Sequence, residues 1–423
     1  MNKPSGIYDV AVIGAGAAGS MAAIRAARLK KIVILVERNR VLGKKILLTG
    51  NGRCNLTNTA SIEMFLKKFK PNGEFYRTAF SRFSNNDLMD FFRGCGVELK
   101  VEERGRVLPI TDKAASVTDV LEKCLRESGV ETAYGRRVIS LVKKENIFEL
   151  GFTDRAAIYA KKVIIATGGG SYKATGSTGD GFVIAGRFGH TVTGLKPALV
   201  PLKTRDSFAA CLQGLSFTGA RITIHDGGKK NISDCGDILF THFGLSGPLV
   251  LDISGDVAAL LLTRSEVKIT IDFCPDIKRE ELEKELTVAI DSRGNTRIKN
   301  LIGAIVPKRM APVFLSRLNI DAQKKSGQIN KKERSAIVDN LKALPFTISG
   351  SLPLDEGMVT AGGISSKEIN PRTMESKIIP GIFFVGEVIE PRGLSGGYNL
   401  QQAFSTGYLA GESCAASGAG VTD

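Results

Sequence analysis

A glycine-rich turn near the start of the chain has the spacing of a dinucleotide-binding loop. The turn follows an apolar run and consists of Gly14, Ala15, Gly16, Ala17, Ala18 and Gly19. In such turns the first glycine permits a tight bend, the second lets a pyrophosphate approach the backbone, and the third lets a helix pack closely. Glu37, 18 positions beyond Gly19, can accept hydrogen bonds from an adenosine ribose and would repel a ribose phosphate. The pattern predicts a dinucleotide other than NADP; the alternative is a glycine turn without a ligand.

The elements that must position this turn form one βαβ unit between Tyr8 and Arg40. Residues 9–13 and 31–36 are continuous apolar runs, as expected of parallel strands that are buried on both faces. Most of positions 20–28 are serine or alanine, which predicts a helix that can lie close to the sheet. The N-terminus of that helix then faces the phosphates, where its unpaired N–H groups bind anions.

Two later apolar runs end in short motifs that indicate which dinucleotide binds. The motifs are Ala166-Thr167-Gly168-Gly169 and Gly386-Glu387. Their arrangement resembles the two-dinucleotide-fold flavoproteins, in which such motifs close around the adenine half and the ribityl chain of FAD. Residues 176–181 also resemble the Thr-Gly-Asp-Gly turn of the fumarate reductase group. We therefore expect FAD as the cofactor.

Further motifs extend the resemblance to one family. They are Gly43–Asn58 (GKKILLTGNGRCNLTN), Thr241–Pro248 (THFGLSGP), Ala361–Ile364 (AGGI) and Gly396–Gln401 (GGYNLQ). Together they are similar to the BaiN-like, aminoacetone-oxidase-like family of FAD-dependent oxidoreductases, from about Tyr8 to Gly411. The resemblance implies an α/β fold. In it, a Rossmann-like FAD-binding domain of the two-dinucleotide-fold type is interrupted by an insert made of a β-barrel and helices.

The resemblance also implies which residues contact FAD. One loop would run beside the flavin ring, and it contains Lys45, Thr49, Gly50, Asn51, Gly52, Arg53, Cys54 and Asn55. The last helix would begin at the pyrimidine edge of the flavin, with Gly396, Gly397, Tyr398, Asn399 and Leu400. Free N–H groups there would stabilise the negative charge of the reduced flavin. Val138 would bond adenine through its backbone, and Arg38 or Lys44 would serve the phosphates together with the glycine turn.

Cys54 and Arg392 are the candidate catalytic residues. Cys54 is either a general acid that protonates the carbon next to the hydride acceptor or a small packing residue. Arg392 lies in Glu390-Pro391-Arg392-Gly393, where related sequences carry an acidic turn. Its guanidinium would bind a phosphate or polarise a substrate carbonyl. The alternative is a solvated side chain without such a role.

Length and composition predict a multidomain enzyme of the cytoplasm. The 423 residues are 43% hydrophobic and 24% charged, an ordinary globular balance. We expect an FAD-binding domain at 1–194 and 346–423. The insert at 195–345 would contain the barrel at about 197–275 and a basic helical part at about 276–345. The sequence lacks the ~20-residue apolar run of a membrane helix and a signal-peptide pattern. Seven scattered cysteines and three distant histidines argue against disulfides and a metal site.

The net charge of +15 favours an anionic partner. Residues 293–342 contain 12 basic and 3 acidic residues, a local net charge of +9. Residues 65–83 interleave cations with aromatic rings, which suits unpaired bases but also fits core aromatics at helical spacing. The RNA-binding candidates are Lys67, Lys68, Lys70, Lys308, Arg309, Lys324, Lys325, Lys331, Lys332 and Arg334.

Together the motifs predict an FAD-dependent oxidoreductase that delivers hydride from reduced flavin to an electron-poor C=C bond. The sequence has no second complete glycine fingerprint, so NAD(P)H would visit the flavin transiently. Related proteins are linked to bile-acid enones, to aminoacetone and to a large-subunit ribosomal RNA uridine, which becomes dihydrouridine. The positive charge favours ribosomal RNA, because each phosphate contact can use one Lys or Arg. The alternatives are a small-molecule enone reductase or amine oxidase, and a flavin-containing RNA-binding protein without turnover.

Overall fold

The computed structural model of this protein describes residues 6–416. The chain divides into two compact units, the first comprising Met1–Leu195 and Val359–Asp423 and the second Lys196–Met358. The strands are β1 Tyr8–Ile13, β2 Val33–Glu37, β3 Thr57–Asn58, β4 Phe69–Lys70, β5 Leu99–Val101, β6 Arg106–Pro109, β7 Glu131–Tyr134, β8 Val138–Lys144, β9 Ile147–Phe152, β10 Ala157–Ile165, β11 Lys196–Ala198, β12 Leu202–Thr204, β13 Ser216–Asp226, β14 Lys229–Ile232, β15 Gly236–Phe240, β16 Gly244–Ser246, β17 Val267–Asp272, β18 Leu344–Ser351, β19 Val359–Ala361, β20 Ile382–Phe384 and β21 Arg392–Gly393. The helices are α1 Ala17–Arg28, α2 Ile62–Lys67, α3 Arg77–Arg82, α4 Asn85–Gly94, α5 Ala115–Glu127, α6 Asp180–Arg187, α7 Ser207–Cys211, α8 Pro248–Leu260, α9 Arg279–Ser292, α10 Ile298–Ile302, α11 Met310–Arg317, α12 Lys331–Ala343 and α13 Tyr398–Ala415.

A seven-stranded sheet forms the centre of the first unit. Strands β7, β2, β1, β10 and β20 lie side by side in that order and are parallel. Strands β8 and β9 continue the sheet as an antiparallel meander against the first half of β10. Because the carboxyl ends of parallel strands meet at one edge, β1, β2, β10 and β20 bring their following loops to the same edge of the sheet.

Helix α1 is buried between this sheet and α13, and its many small residues make this close packing possible. Ten of its 12 residues are buried, and most of them are alanine or glycine. A side chain at Gly411 of α13 would lie 2.5 Å from the carbonyl oxygen of Ala22 in α1. Small residues on both helices therefore allow their backbones to approach closely.

The aromatic residues between positions 65 and 83 lie in the core of the first unit. Phe65 and Phe80 are each 2% exposed, and their ring centroids are 5.3 Å apart. Tyr76 is fully buried and donates its hydroxyl hydrogen to the Pro391 carbonyl at 2.8 Å. The interpretation of these rings as a stacking surface for bases is therefore wrong, since the rings are packed against one another.

The second unit combines a closed β-barrel with a helical part. The barrel strands follow the order β13, β15, β16, β12, β18 and β17, and pairing of β17 with β13 closes the ring. Along β13 and β17 the residues alternate, with Ile222, Ile224, Ile269 and Ile271 pointing into the core. Helices α9 to α12 share one hydrophobic core with the barrel. The predicted fold class, a Rossmann-like domain with a barrel-and-helix insert, is confirmed.

The insert ends later in the chain than the sequence analysis placed it. The apolar pattern that begins near Phe346 does form a strand, β18, but this strand pairs with β12 and β17 and completes the barrel. The boundary therefore falls between Met358 and Val359 and not at 345.

Within residues 6–416, none of the helices is both long enough and apolar enough to cross a membrane. The same residues contain no group of three or more His, Cys, Asp or Glu side chains that could hold a metal ion. All seven cysteines are free thiols.

A buried histidine in the first unit makes stability depend on pH. The His190 side chain is completely buried, with Nδ1 3.2 Å from Glu368 Oε2 and Nε2 2.8 Å from Ser376 Oγ. Burial outweighs the attraction of Glu368 and lowers the pKa of His190. Unfolded chains therefore take up a proton on His190 at a higher pH than folded ones. The free energy of unfolding should decrease as the pH falls below about 6.5.

We expect His190→Gln to reduce this loss of stability between pH 8 and pH 5.5, as measured by urea unfolding at each pH. The variant should also be less stable than the native protein at pH 8, by about 1–3 kcal/mol, because buried partners lose a hydrogen bond. His225→Gln is the control, since His225 is only half-buried against the Thr270 hydroxyl. A pH dependence that is unchanged in His190→Gln would contradict the assignment.

Candidate functional site

The glycine turn connects β1 to α1 at the carboxyl edge of the sheet. A Cβ atom at Gly14 would lie 2.5 Å from the Ala166 carbonyl oxygen, and one at Gly19 would collide with the Gly14 carbonyl. Gly16 is different, because nothing lies within 4 Å of its Cβ position. It precedes α1 without a side-chain cap, so the first N–H groups of the helix lack helical partners. This is the shape of an anion cradle, in which a pyrophosphate approaches the backbone at Gly16.

Glu37 lies beside the cradle at the end of β2 and is 8% exposed. Its Oε2 accepts a hydrogen bond from the Ala15 N–H at 2.8 Å, and Oε1 accepts from the backbone and side-chain nitrogens of Asn39. These bonds fix the carboxylate, and each oxygen can accept a further hydrogen bond from a ribose. The Arg136 N–H donates to the Glu37 carbonyl at 2.9 Å, so the chain leading into Val138 runs along the same edge.

An ion pair joins the loop after β2 to the motif after β20. Lys45 Nζ lies 2.6 Å from Glu387 Oε2 and 2.9 Å from Ser171 Oγ. Glu387 Oε1 accepts from the Thr360 N–H at 2.8 Å. The sequence predicted Lys45 and Glu387 separately and missed Ser171 and Thr360. Only the folded structure shows that Ser171 and Thr360 lie at this site. The Thr360 hydroxyl oxygen accepts a hydrogen bond from the Gly170 N–H at 2.8 Å, which holds Thr360 in place.

The N-terminus of α13 is held by β3 and by the loop that leads into it. Gly397 precedes α13 with a φ of 98° and no side-chain cap. The Asn55 side-chain amide is oriented so that its nitrogen faces an acceptor and its oxygen faces a donor. That oxygen accepts a hydrogen bond from the Gly397 N–H at 3.0 Å. Asn58 Nδ2 donates to the Gly396 carbonyl, also at 3.0 Å. The N–H groups from Tyr398 to Leu400 are the first of the helix, and its aligned peptide dipoles make this end positively polarised.

Three other side chains that were predicted to lie beside FAD have partners within the protein. Arg38 donates to the Thr178 hydroxyl at 2.6 Å, and Lys44 donates to the Ala174 carbonyl at 2.7 Å. Arg53 pairs with two carboxylates at 2.9 and 3.5 Å. These side chains hold neighbouring loops in place, and their contact with FAD stays a prediction.

Cys54 is completely buried and has a φ of 61°. It follows Thr49, Gly50, Asn51, Gly52 and Arg53 in the loop, and its N–H donates to the Thr49 carbonyl at 2.9 Å. Burial raises the pKa of the thiol to about 12. Of the two alternatives for Cys54, this environment favours the packing residue, because a general acid works best with a pKa near the operating pH.

Arg392 is 8% exposed, which excludes the solvated alternative. It belongs to β21, which pairs with β4. The following turn is held by Asn399, which accepts from the Gly393 N–H at 2.8 Å and donates to the Gly393 carbonyl at 3.0 Å. The guanidinium is therefore part of the packed segment that leads into α13, and its action on a phosphate or carbonyl stays a prediction.

These features fit FAD by shape and polarity. The open space at Gly16 suits a pyrophosphate, and the Glu37 carboxylate suits a ribose. The Gly386–Glu387 motif suits a polyol chain. The N-terminus of α13 suits the anionic edge of a reduced flavin. All four belong to the first unit.

The helical part of the second unit carries a separate cationic region. Four of its predicted basic residues are paired with acids: Arg317 with Asp206, Lys324 with Glu333, Arg334 with Glu283 and Lys342 with Asp272. Lys324 and Arg334 therefore already have acidic partners within the protein, and their contact with RNA stays a prediction. Lys324 Nζ lies 2.7 Å from Glu333, the residue that completes the capping box at the start of α12.

The remaining eight cations of residues 293–342 form what we call the basic surface. Within residues 6–416 none of them has an acidic side chain within ion-pair distance, and all except the half-buried Lys299 are exposed. They are Arg293, Arg297, Lys299, Lys308, Arg309, Lys325, Lys331 and Lys332. Two segments bring several of them together, because an antiparallel bridge pairs Arg297 with Lys325, and Lys325 Nζ donates to Asn295. Lys67 and Lys70 are also exposed but lie in the first unit, and Lys68 is half-buried.

Comparison with known proteins gives matches over nearly the whole chain. The chain is 34% identical over 411 residues to the 3-dehydro-bile acid delta(4,6)-reductase of Clostridium scindens, covering 96% of this chain and 98% of that protein. It is 30% identical over 406 residues to the ribosomal RNA dihydrouridine synthase of Escherichia coli, covering 95% and 96%.

Among solved structures, the 3-ketosteroid delta1-dehydrogenase of Sterolibacterium denitrificans superimposes with a TM-score of 0.54 at 14% identity, covering 97% of this chain and 99% of that one. That likeness supports the fold. The family model described as the HI0933-like protein Rossmann domain matches residues 8–413. The chain therefore belongs to the HI0933-like family, which confirms the family and the class of FAD-dependent oxidoreductase predicted from its motifs.

Proposed function

We propose that this protein reduces a uridine of large-subunit ribosomal RNA to dihydrouridine, with FAD as cofactor and NAD(P)H as a transient electron donor. The observation that carries the proposal is the basic surface of the second unit. Seven exposed cations without acidic partners in the described part of the chain repel one another, and a bound polyanion relieves that repulsion. A steroid or a small amine offers no such compensation, whereas an RNA backbone carries one negative charge on each phosphate.

The reaction adds a hydride and a proton across the C5–C6 double bond of uracil. FAD, when bound, supplies the hydride-transfer chemistry. The protein binds the cofactor through the Gly16 cradle and Glu37. The N–H groups at the start of α13 stabilise negative charge at the edge of the ring system. The uridine must be splayed out of the RNA to reach the site, and backbone contacts elsewhere stabilise that opened state.

The experiment that tests this function uses the FAD-loaded protein, ribosomal RNA from cells that lack the gene, and NADH or NADPH without oxygen. We expect one of the nucleotides to bleach the flavin absorbance and the RNA to restore it. Nucleoside mass spectrometry should then detect dihydrouridine, which is uridine with two added hydrogens. Cells that lack the gene should lose dihydrouridine from the same RNA.

A second candidate is a small-molecule enone reductase, and the relative named as a bile-acid reductase favours it. If a 3-dehydro-bile acid restores the flavin absorbance and ribosomal RNA does not, this candidate takes first place. Bleaching by neither nucleotide would instead favour an oxidase or a flavin-containing RNA-binding protein without turnover.

Cys54→Ser tests whether Cys54 is a catalytic residue or a packing residue. We expect both half-reactions to stay within about threefold of the native rates, because the thiol is buried and a serine hydroxyl fits the same space. Since a pKa of about 12 keeps the thiol protonated from pH 6 to 9, Cys54 should add no inflection to the pH profile in that range. Stopped-flow absorbance measures the two steps separately. A loss confined to the substrate step, by about 100-fold or more, would restore Cys54 as the proton donor.

A further inference from the structure

We propose that Cys95 and Cys124 form a reversible disulfide when the protein meets hydrogen peroxide. Both belong to the first unit, and their sulfur atoms lie 3.5 Å apart although the residues are 29 positions apart in the chain. A disulfide requires about 2 Å between the sulfurs, so they must approach by about 1.5 Å. Cys95 follows the last residue of α4 as its C-cap, where the backbone is least constrained by the helix.

The two thiols differ in their access to solvent, which sets the order of reaction. Cys95 is half-buried, whereas Cys124 is 1% exposed within α5. Burial and the neighbouring Cys95 raise the pKa of Cys124 to about 11, against the opposing influence of the Arg28 guanidinium. Cys124 is thereby protected from direct oxidation, and Cys95 is the thiol that a dissolved oxidant reaches.

The chemistry balances in two steps with hydrogen peroxide as the oxidant. First, Cys95 sulfur attacks one peroxide oxygen, so that an S–O bond forms, the O–O bond breaks, and one water leaves. Second, Cys124 sulfur attacks Cys95 sulfur, so that the S–S bond forms, the S–O bond breaks, and the second water leaves. Two thiols are oxidised and one peroxide is reduced. A dithiol reductant reverses the change by exchange.

The bridge would connect α4 to α5, the helix that packs against the candidate flavin loop. The Ala114 N–H, just before α5, donates to the Gly52 carbonyl at 2.7 Å. A Cβ atom at Gly43 would lie 2.7 Å from the methyl group of Thr118, so α5 also packs directly against the start of that loop. The disulfide would therefore tether α4 to the helix behind this loop. This inference does not depend on the identity of the substrate.

The other cysteines provide internal controls. Cys54, Cys274 and Cys414 are buried, whereas Cys211 and Cys235 are exposed and lie in the second unit. Exposure alone therefore predicts oxidation of Cys211 and Cys235, while proximity predicts a bridge between Cys95 and Cys124. The two outcomes are distinguishable by peptide mapping.

The test treats the FAD-loaded protein with hydrogen peroxide at a small molar excess, blocks free thiols by alkylation, and maps peptides without reduction. We expect one cross-linked peptide pair joining Cys95 to Cys124, with the loss of two hydrogens, and its disappearance after dithiothreitol. Cys211→Ser should leave the cross-link intact. Cys124→Ser should trap Cys95 as a sulfenic acid that reacts with dimedone, and Cys95→Ser should leave Cys124 reduced.

Circular dichroism establishes that each variant is folded. Protein oxidised in urea is the structural control, because unfolding separates the two sulfurs and should remove the preference for the 95–124 pair. The proposal is overturned if Cys211 or Cys235 is oxidised in the folded native protein while Cys95 and Cys124 stay reduced. It is equally overturned if Cys95 proceeds to sulfinic acid without a cross-link while Cys124 is present.

Discussion

Gly16→Val should abolish FAD binding and leave the protein folded. The backbone at Gly16 has a φ of −82°, which any residue adopts, and its Cβ position has no neighbour within 4 Å. A valine therefore fits the protein itself and fills the space through which a pyrophosphate would approach the turn. We expect the dissociation constant for FAD to rise about a thousandfold or more, equivalent to about 4 kcal/mol. Fluorescence titration of the apoprotein with FAD measures it.

Two other glycines make this prediction specific. Gly94 also has no neighbour within 4 Å of its Cβ position, but it ends α4, so Gly94→Val should bind FAD normally. Gly19→Val should instead fail to fold, because its Cβ would collide with the Gly14 carbonyl and push α1 away from β1. If Gly16→Val is folded and binds FAD like the native protein, the pyrophosphate does not lie at this turn.

The parts of the fold that the sequence predicts well are those fixed by neighbouring residues. The first strand, the glycine turn and α1 follow from a buried apolar run and the three glycines, because each constraint acts within a few positions. The capping box at Ser84 and Asp87 likewise predicts the start of α4, and both of its hydrogen bonds are present.

The features that the sequence cannot predict depend on contacts between distant segments. Strand β18 looks like any apolar run, and only its pairing partners assign it to the barrel. Lys45 and Glu387 are 342 positions apart, so their ion pair has no local signal. The same holds for charge, because composition counts cations without showing which are neutralised. Lys324 and Lys342 are both paired with carboxylates. The excess positive charge lies on the other cations, those of the basic surface.

The difference between cations that are paired with carboxylates and cations that are not decides which residues should be changed to test RNA binding. Reversing Arg297, Lys325, Lys331 and Lys332 to Glu alters exposed cations that lack acidic partners in residues 6–416. Lys324 is left intact, because Lys324→Glu would place a second carboxylate beside Glu333 and weaken the start of α12. Neither the glycine turn nor α13 belongs to this unit, so the flavin spectrum and its bleaching by NAD(P)H should be unchanged.

RNA affinity should fall steeply in this variant, and the fall should depend on salt. Binding of each phosphate releases condensed counterions, so the slope of log K against log salt should flatten by about one unit for each phosphate that the variant no longer binds. The control reverses four exposed cations of the first unit, Lys113, Arg126, Lys367 and Arg372, which changes the net charge equally. If both variants show the same decrease in affinity, only the overall charge attracts RNA. If neither loses affinity and dihydrouridine still forms, RNA binds elsewhere and the basic surface is a solvated face. A selective decrease in the first variant means that the position of the cations, and not only their number, holds the RNA.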